Sequence, residues 1–173
     1  MQLSDHFSLL DAVNSSTAER LGIDNTPSQT VIENAKVAAT SMEEVRALLG
    51  NLGIHVNSWV RIEELEKVLA HKDFIGWCAK HGKPLPNDAA WAEYFSKKAH
   101  PKGYAVDFTC PGYGTPLEIV QAIAASNIKF DQLIAEGGSN GAGGWCHCSF
   151  EPQMRGQILT ATFKNGAAVY SMA

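Results

Sequence analysis

The sequence predicts an α+β fold, with helices packed first and a mostly antiparallel sheet after them. Three observations predict it: helical apolar spacing dominates the chain up to Ala99, short alternating runs follow from Tyr104, and turn or cap residues separate the runs without any internal repeat. With 173 residues, 45% of them hydrophobic, the chain can bury a core of ordinary size, and its length fits one domain over 1–173 better than two.

Residues 1–50 read as a helical N-terminal part. Ser4 and Asp5 are the expected caps ahead of FSLLDAV, GIDNTPS reads as a loop, and the amphipathic run TVIENAKVAATSMEEVRALLG stops at Gly50. Ile54 to Val60 alternates as a strand. RIEELEKVLAHKDFIGWCAKHG then keeps helical spacing at Ile62, Leu65, Val68 and Leu69 until Gly82 ends it. KPLPNDAAWAEYFSKKAHPKG opens on two prolines, caps a short helix at Asn87 or Asp88, and breaks at Pro101 and Gly103. YAVDFTC reads as a strand, and TPLEIVQAIAAS as a helix opened by Thr115 with proline in its first turn. DQLIA, WCHCSF and QILTATF read as further strands, with Asn165-Gly166 closing a terminal hairpin.

Charge and composition narrow the function. The 14 Lys+Arg against 18 Asp+Glu give a net charge of -4, and no basic run offers a footprint for phosphate backbones, so nucleic acid is not an expected partner. No stretch reaches the roughly 18 apolar residues of a membrane span. The start, MQLSDHFSLL, lacks the cationic and then apolar pattern of a secretory signal, so synthesis in the cytoplasm without a signal peptide is expected. Cys78, Cys110, Cys146 and Cys148 are few for this length, and the last two are too close to bridge, so reduced thiols are expected. No pattern specifies an oligomeric state.

Three residues form a candidate metal constellation. His100-Pro101-Lys102-Gly103-Tyr104-Ala105-Val106-Asp107 sets a histidine just before a strand and a carboxylate within it, with Gly103 allowing a close turn between them. Ala105 and Asp107 share one strand face, the small alanine leaving room beside the ligand. On WCHCSF, His147 points one way with Trp145 and Ser149, while Cys146, Cys148 and Phe150 point the other. Two histidines and one carboxylate suit a single Zn2+ ion and leave a fourth tetrahedral position open, the mark of a catalytic zinc site.

HPKGYAVD and WCHCSF resemble the His-x6-Asp and downstream Trp-x-His pattern of the D-alanyl-D-alanine metallopeptidases, the lysostaphin-like enzymes and the sonic hedgehog signalling domain. The start, LSDHFSLLDAVNSSTAERLGIDNTP, and the stretch DFTCPGYGTPLEIVQAIAAS are similar to the phage and prophage branch of these peptidases. The resemblance implies a zinc metallopeptidase that cuts peptidoglycan stem peptides, as a D,D-carboxypeptidase or an endopeptidase, with His100, Asp107 and His147 as metal ligands. It implies that Arg61, in NSWVR, holds a substrate carboxylate or carbonyl, that Glu136, in DQLIAEGG, is the general base, and that Trp145 contacts substrate. A phage lysis enzyme (endolysin), acting on the cell wall after release, or a virion component is the implied setting. A non-catalytic, zinc-stabilised binding or virion structural module of the same fold is the alternative.

The chain departs from that pattern in places. Lys98 stands where the family usually has serine, Gly144 stands where many relatives have the catalytic acid, and the short turn after the arginine is replaced by a helical insert of about forty residues, 62–99, far longer than ordinary loops. The insert is expected to shape the substrate cleft. Arg61 also reads as a helix-start surface arginine, and Glu136 also reads as a cap on the loop GGSNGAGG, which is too irregular to cradle phosphate. A zinc site from Cys146, His147 and Cys148 is opposed by strand alternation, and buried free thiols beside Phe150 are expected instead. Trp59, Trp77 and Trp91 are expected in the core or cleft wall. His6, His55, His71 and His81 read as ordinary histidines.

Overall fold

In the computed structural model, which describes residues 1–85, 87–137, 143–164 and 167–172, the chain is α+β as the sequence predicts. Helices α1 (Leu9–Val13), α2 (Ser16–Leu21) and α3 (Gln29–Leu48) come first, followed by β1 (His55–Ser58). Then come α4 (Glu63–Leu69), α5 (His71–Lys80), α6 (Asp88–Ser96) and a 3-10 turn at His100–Lys102. β2 (Ala105–Thr109), α7 (Pro116–Ala124), β3 (Gln132–Glu136), β4 (Trp145–Ser149), β5 (Gln157–Lys164) and β6 (Ala167–Met172) complete it.

Local chemistry starts these helices. Ser8 caps α1 in a reciprocal box with Asp11, which corrects the expectation of Ser4 and Asp5: Ser4 instead donates to Glu43 at 2.7 Å. Thr115 and Glu118 form a second such box on α7, with Pro116 in its first turn, and Asn87 caps α6. The run from Ile62 to Gly82 is two helices rather than one, broken at Ala70, and β1 is shorter than the alternation of 54–60 predicts. The Asn165-Gly166 turn and most of GGSNGAGG lie outside the described residues, although β5 and β6, which flank that turn, do pair antiparallel.

The six strands order as β1-β2-β4-β3-β5-β6, antiparallel throughout except for the parallel pair β3–β5. One face of the sheet is the main core: Val106, Phe108, Leu133, Cys146 and Cys148 pack with Ala38 and Met42 of α3 and Ile119 and Ile123 of α7. Each large aliphatic side chain buried there contributes about 1.5–3 kcal/mol. Both thiols and Phe150 sit in this cluster, unbridged, as strand alternation predicts. Trp59 belongs to the same core, whereas Trp91 joins Ala70 and Tyr94 in a smaller aromatic cluster of the insert, with Phe74, Trp77 and Phe95 packed against it. Among the described residues no helix is long and apolar enough to cross a membrane.

The opposite sheet face is polar and opens into a cavity. α5 reaches back over the sheet edge, where Asp73 accepts a 3.3 Å hydrogen bond from the Ala168 amide of β6, so the insert builds one wall of that cavity.

Candidate metal centre

His100 is placed by the turn that carries it. Gly103 closes the 3-10 turn at φ +88, a left-handed conformation, and packs so tightly on α3 that a Cβ would meet the Val31 carbonyl oxygen at 2.6 Å. Asn34 ties the same turn to α3 by donating to the Lys102 carbonyl (2.9 Å) and accepting from the Tyr104 hydroxyl (2.8 Å). The Trp59 indole donates to the Gly103 carbonyl at 2.8 Å. His100 Nδ1 in turn donates to the Trp59 carbonyl at 2.6 Å, since a carbonyl oxygen can only accept. That bond fixes the tautomer and turns Nε2 toward the strand.

Asp107 and His147 come together by strand pairing. They are direct partners across the β2–β4 ladder, and His147 Nδ1 lies 2.8 Å from Asp107 Oδ1. His100 Nε2 lies 3.2 Å from the same oxygen, and one ligand atom from each of the three residues falls within 4.8 Å of the others. All three side chains are buried, at 7%, 4% and 8% residue exposure, although they line the cavity. The sequence-predicted trio is therefore one cluster in space.

The donor chemistry fits a cation. Burial first, and the Arg61 charge second, hold the His100 pKa below its ordinary value, so at neutral pH the ring carries one proton, on Nδ1. Nε2 then points a lone pair at an oxygen of a carboxylate across 3.2 Å, two acceptors facing each other, which a cation between them resolves. Burial opposes ionisation of Asp107, but the Arg61 guanidinium and the hydrogen bond from His147 favour it, and the carboxyl lies well below its ordinary range. Ligand bonds of about 2.0–2.1 Å in a tetrahedron place ligand atoms about 3.3 Å apart; His100 and Asp107 stand at 3.2 Å, and His147 and Asp107 are closer, at 2.8 Å.

Arg61 does not lie on the surface. Its Nη2 donates to Asp107 Oδ2, its Nε donates to Ser58 Oγ at 2.8 Å, and its Nη1 lies 3.7 Å from Glu66 Oε2. A register shift between Val56 and Ser58 sets Ser58 opposite Asp107, within reach of the guanidinium. Asn25, buried in the GIDNTPS loop, clamps the backbone on either side of Arg61 by donating to the Val60 carbonyl (2.9 Å) and accepting from the Ile62 amide (3.0 Å).

Glu136 shares the face of His147, since β3 pairs Ile134 with His147 and Glu136 with Trp145. Its side chain and that of Trp145 line the same cavity of about 570 Å³ as the trio and Arg61. Burial, followed by the nearby charge of Asp107, pushes the Glu136 carboxyl up to about 7. Trp145 stands one alternate position from His147, as the strand pattern predicts.

Three contributors were not legible as site residues in advance: Asn25, Glu66 and the Trp59 carbonyl. Glu66 had a signal, because its spacing from Ile62, Leu65 and Leu69 puts a charge on the apolar stripe of its helix, and it is 2% exposed. The other two act through backbone geometry, which residue type does not announce. No protein-family model matches the chain, and no curated protein matches it.

Proposed function

We propose that this chain is a zinc-dependent peptidase acting on the stem peptides of bacterial peptidoglycan. One observation carries the reading: His100, Asp107 and His147 bring their ligand atoms together in the wall of a cavity that also holds a carboxyl poised near neutrality, Glu136. His100 Nε2, Asp107 Oδ1 and His147 Nδ1 are the atoms that would hold the ion. Zinc in such a site supplies a Lewis acid toward a substrate carbonyl and toward water. The chain's own residues do the rest. Glu136 takes the proton of the attacking water and passes it to the leaving amine, a task best done by a group whose pKa lies near the working pH. Arg61 keeps Asp107 ionised and in place. Trp145 offers an aromatic wall to the peptide.

The choice of substrate rests on the resemblance of HPKGYAVD and WCHCSF to cell-wall metallopeptidases, and a cavity of about 570 Å³ is of the size that accepts a short peptide. A phage lysis enzyme is the setting that suits this reading. The test is digestion of purified peptidoglycan by the wild-type protein with zinc, with chelator, and by His147→Ala, with mass analysis of the soluble fragments. Zinc-dependent release of stem-peptide fragments, lost in the variant together with stoichiometric zinc, is the expected result. Undiminished release in chelator, or no release with zinc bound, overturns it; the second outcome leaves the non-catalytic module.

A further inference from the structure

Four cations line the cavity: Arg61, Lys97, Lys98 and Arg155. Three of them have carboxylate partners. Arg61 is held by Asp107, with Glu66 beyond it; Lys97 Nζ lies 3.0 Å from Glu93; and Arg155 Nε donates to Asp131 at 2.9 Å. Lys98 has no carboxylate within ion-pair distance among the described residues, and its ammonium stands over the ring of Tyr94, 4.2 Å from the centroid. The hydroxyl of that tyrosine is itself buried without a hydrogen-bond partner among the described residues. An aromatic face makes up less of a lost hydration shell than a charged hydrogen bond does. The cavity wall thus presents one cation whose counter-charge has to come from elsewhere.

The resemblance to cell-wall peptidases gives the task of holding a substrate carboxylate or carbonyl to Arg61. Here that guanidinium is occupied on Asp107 Oδ2 and Ser58, and the Nη1 that remains faces a second carboxylate, Glu66, at 3.7 Å. A substrate carboxylate brought to Arg61 would stand beside two like charges. Lys98, at a position where the resembling enzymes carry serine, has no such competitor in contact. We propose that Lys98, not Arg61, is the specificity-determining residue that receives a carboxylate of the peptide substrate; this rests on the peptidase reading above.

The experiment uses a set of synthetic stem peptides in which each free carboxylate is singly replaced by its amide, offered to the zinc-loaded wild type, Lys98→Met and Lys98→Arg. Both cleavage and equilibrium binding by calorimetry are read. In the wild type, one amidation should weaken binding and raise KM about tenfold or more; in Lys98→Met that amidation should cost nothing, and Lys98→Arg should restore the discrimination. Equal losses for every peptide in wild type and Lys98→Met, or a discrimination that Lys98→Met leaves intact, overturn the proposal. Absence of cleavage with discriminating binding retained sinks the hydrolase reading but supports the role of Lys98. Absence of any binding sinks both.

Discussion

The backbone carbonyl of Trp59 accepts a 2.6 Å hydrogen bond from Nδ1 of His100, while the indole of the same tryptophan donates to the Gly103 carbonyl at 2.8 Å. One core residue thereby fixes both the tautomer of a candidate ligand and the turn that carries it. Trp59→Phe keeps the aromatic packing and removes the indole donor, leaving the Gly103 carbonyl unsatisfied. We expect a loss of about 1–3 kcal/mol in urea unfolding, and a zinc affinity weakened by about tenfold or more because the support of His100 loosens. An unchanged affinity in a chelator competition would mean that the turn holds its position without the indole.

Gly103→Ala tests the same turn from its other side. The added Cβ meets the Val31 carbonyl oxygen at 2.6 Å and the Ala35 amide nitrogen at 3.2 Å, at a φ of +88 that L side chains rarely adopt. Positive φ alone costs about 1–2 kcal/mol, and the backbone contact adds to it, so thermal unfolding should fall by several degrees. A variant as stable as the wild type would refute the tight seating of this turn on α3.

Arg61 ties the trio to the insert. Arg61→Met removes the cation shared by Asp107 and Glu66 and should destabilise the metal-free protein by about 3–5 kcal/mol, the usual cost of breaking a buried pair. Zinc should recover part of that loss by restoring positive charge beside Asp107. The comparison is made by denaturant unfolding with and without zinc. A variant that unfolds like the wild type in both conditions, yet has a raised KM, would reassign Arg61 to substrate binding.

Glu136 sets a pH dependence. Its carboxyl is raised from 4.5 to about 7 in the folded protein, burial being the larger cause and Asp107 the next. The folded state therefore holds a proton that the unfolded state gives up, and the associated stability is fully present below 4.5 and lost as pH rises through 7. Glu136→Gln escapes that loss, so in chelator it should gain about 3 kcal/mol on the wild type between pH 4 and pH 8. With zinc, the same variant should lose about 10²–10⁴ in kcat/KM if Glu136 is the base. A stability difference that does not change with pH would show that this carboxyl ionises without penalty.

Much of this architecture was legible in residue order because it follows local rules. Thr115 with Pro116 and Glu118 marks a helix start through side-chain caps, and WCHCSF sorts its thiols to the core and its imidazole to the cavity because strand side chains alternate. The break at Ala70 was not legible, since helical spacing runs on through it; Ala70 there joins a cluster with Trp91 and Tyr94 that Phe74 packs against.

The sequence by itself determined which groups exist to do chemistry: two histidines and an aspartate in extended or turn segments, and a glutamate ending a strand. Only the tertiary structure decided what those groups face. The ladder register that sets Asp107 against His147, the Trp59 carbonyl that orients His100, and the Arg61 guanidinium that holds Asp107 all join residues distant along the chain. Such contacts depend on how whole elements pack, a global balance of burial and pairing that no local pattern encodes.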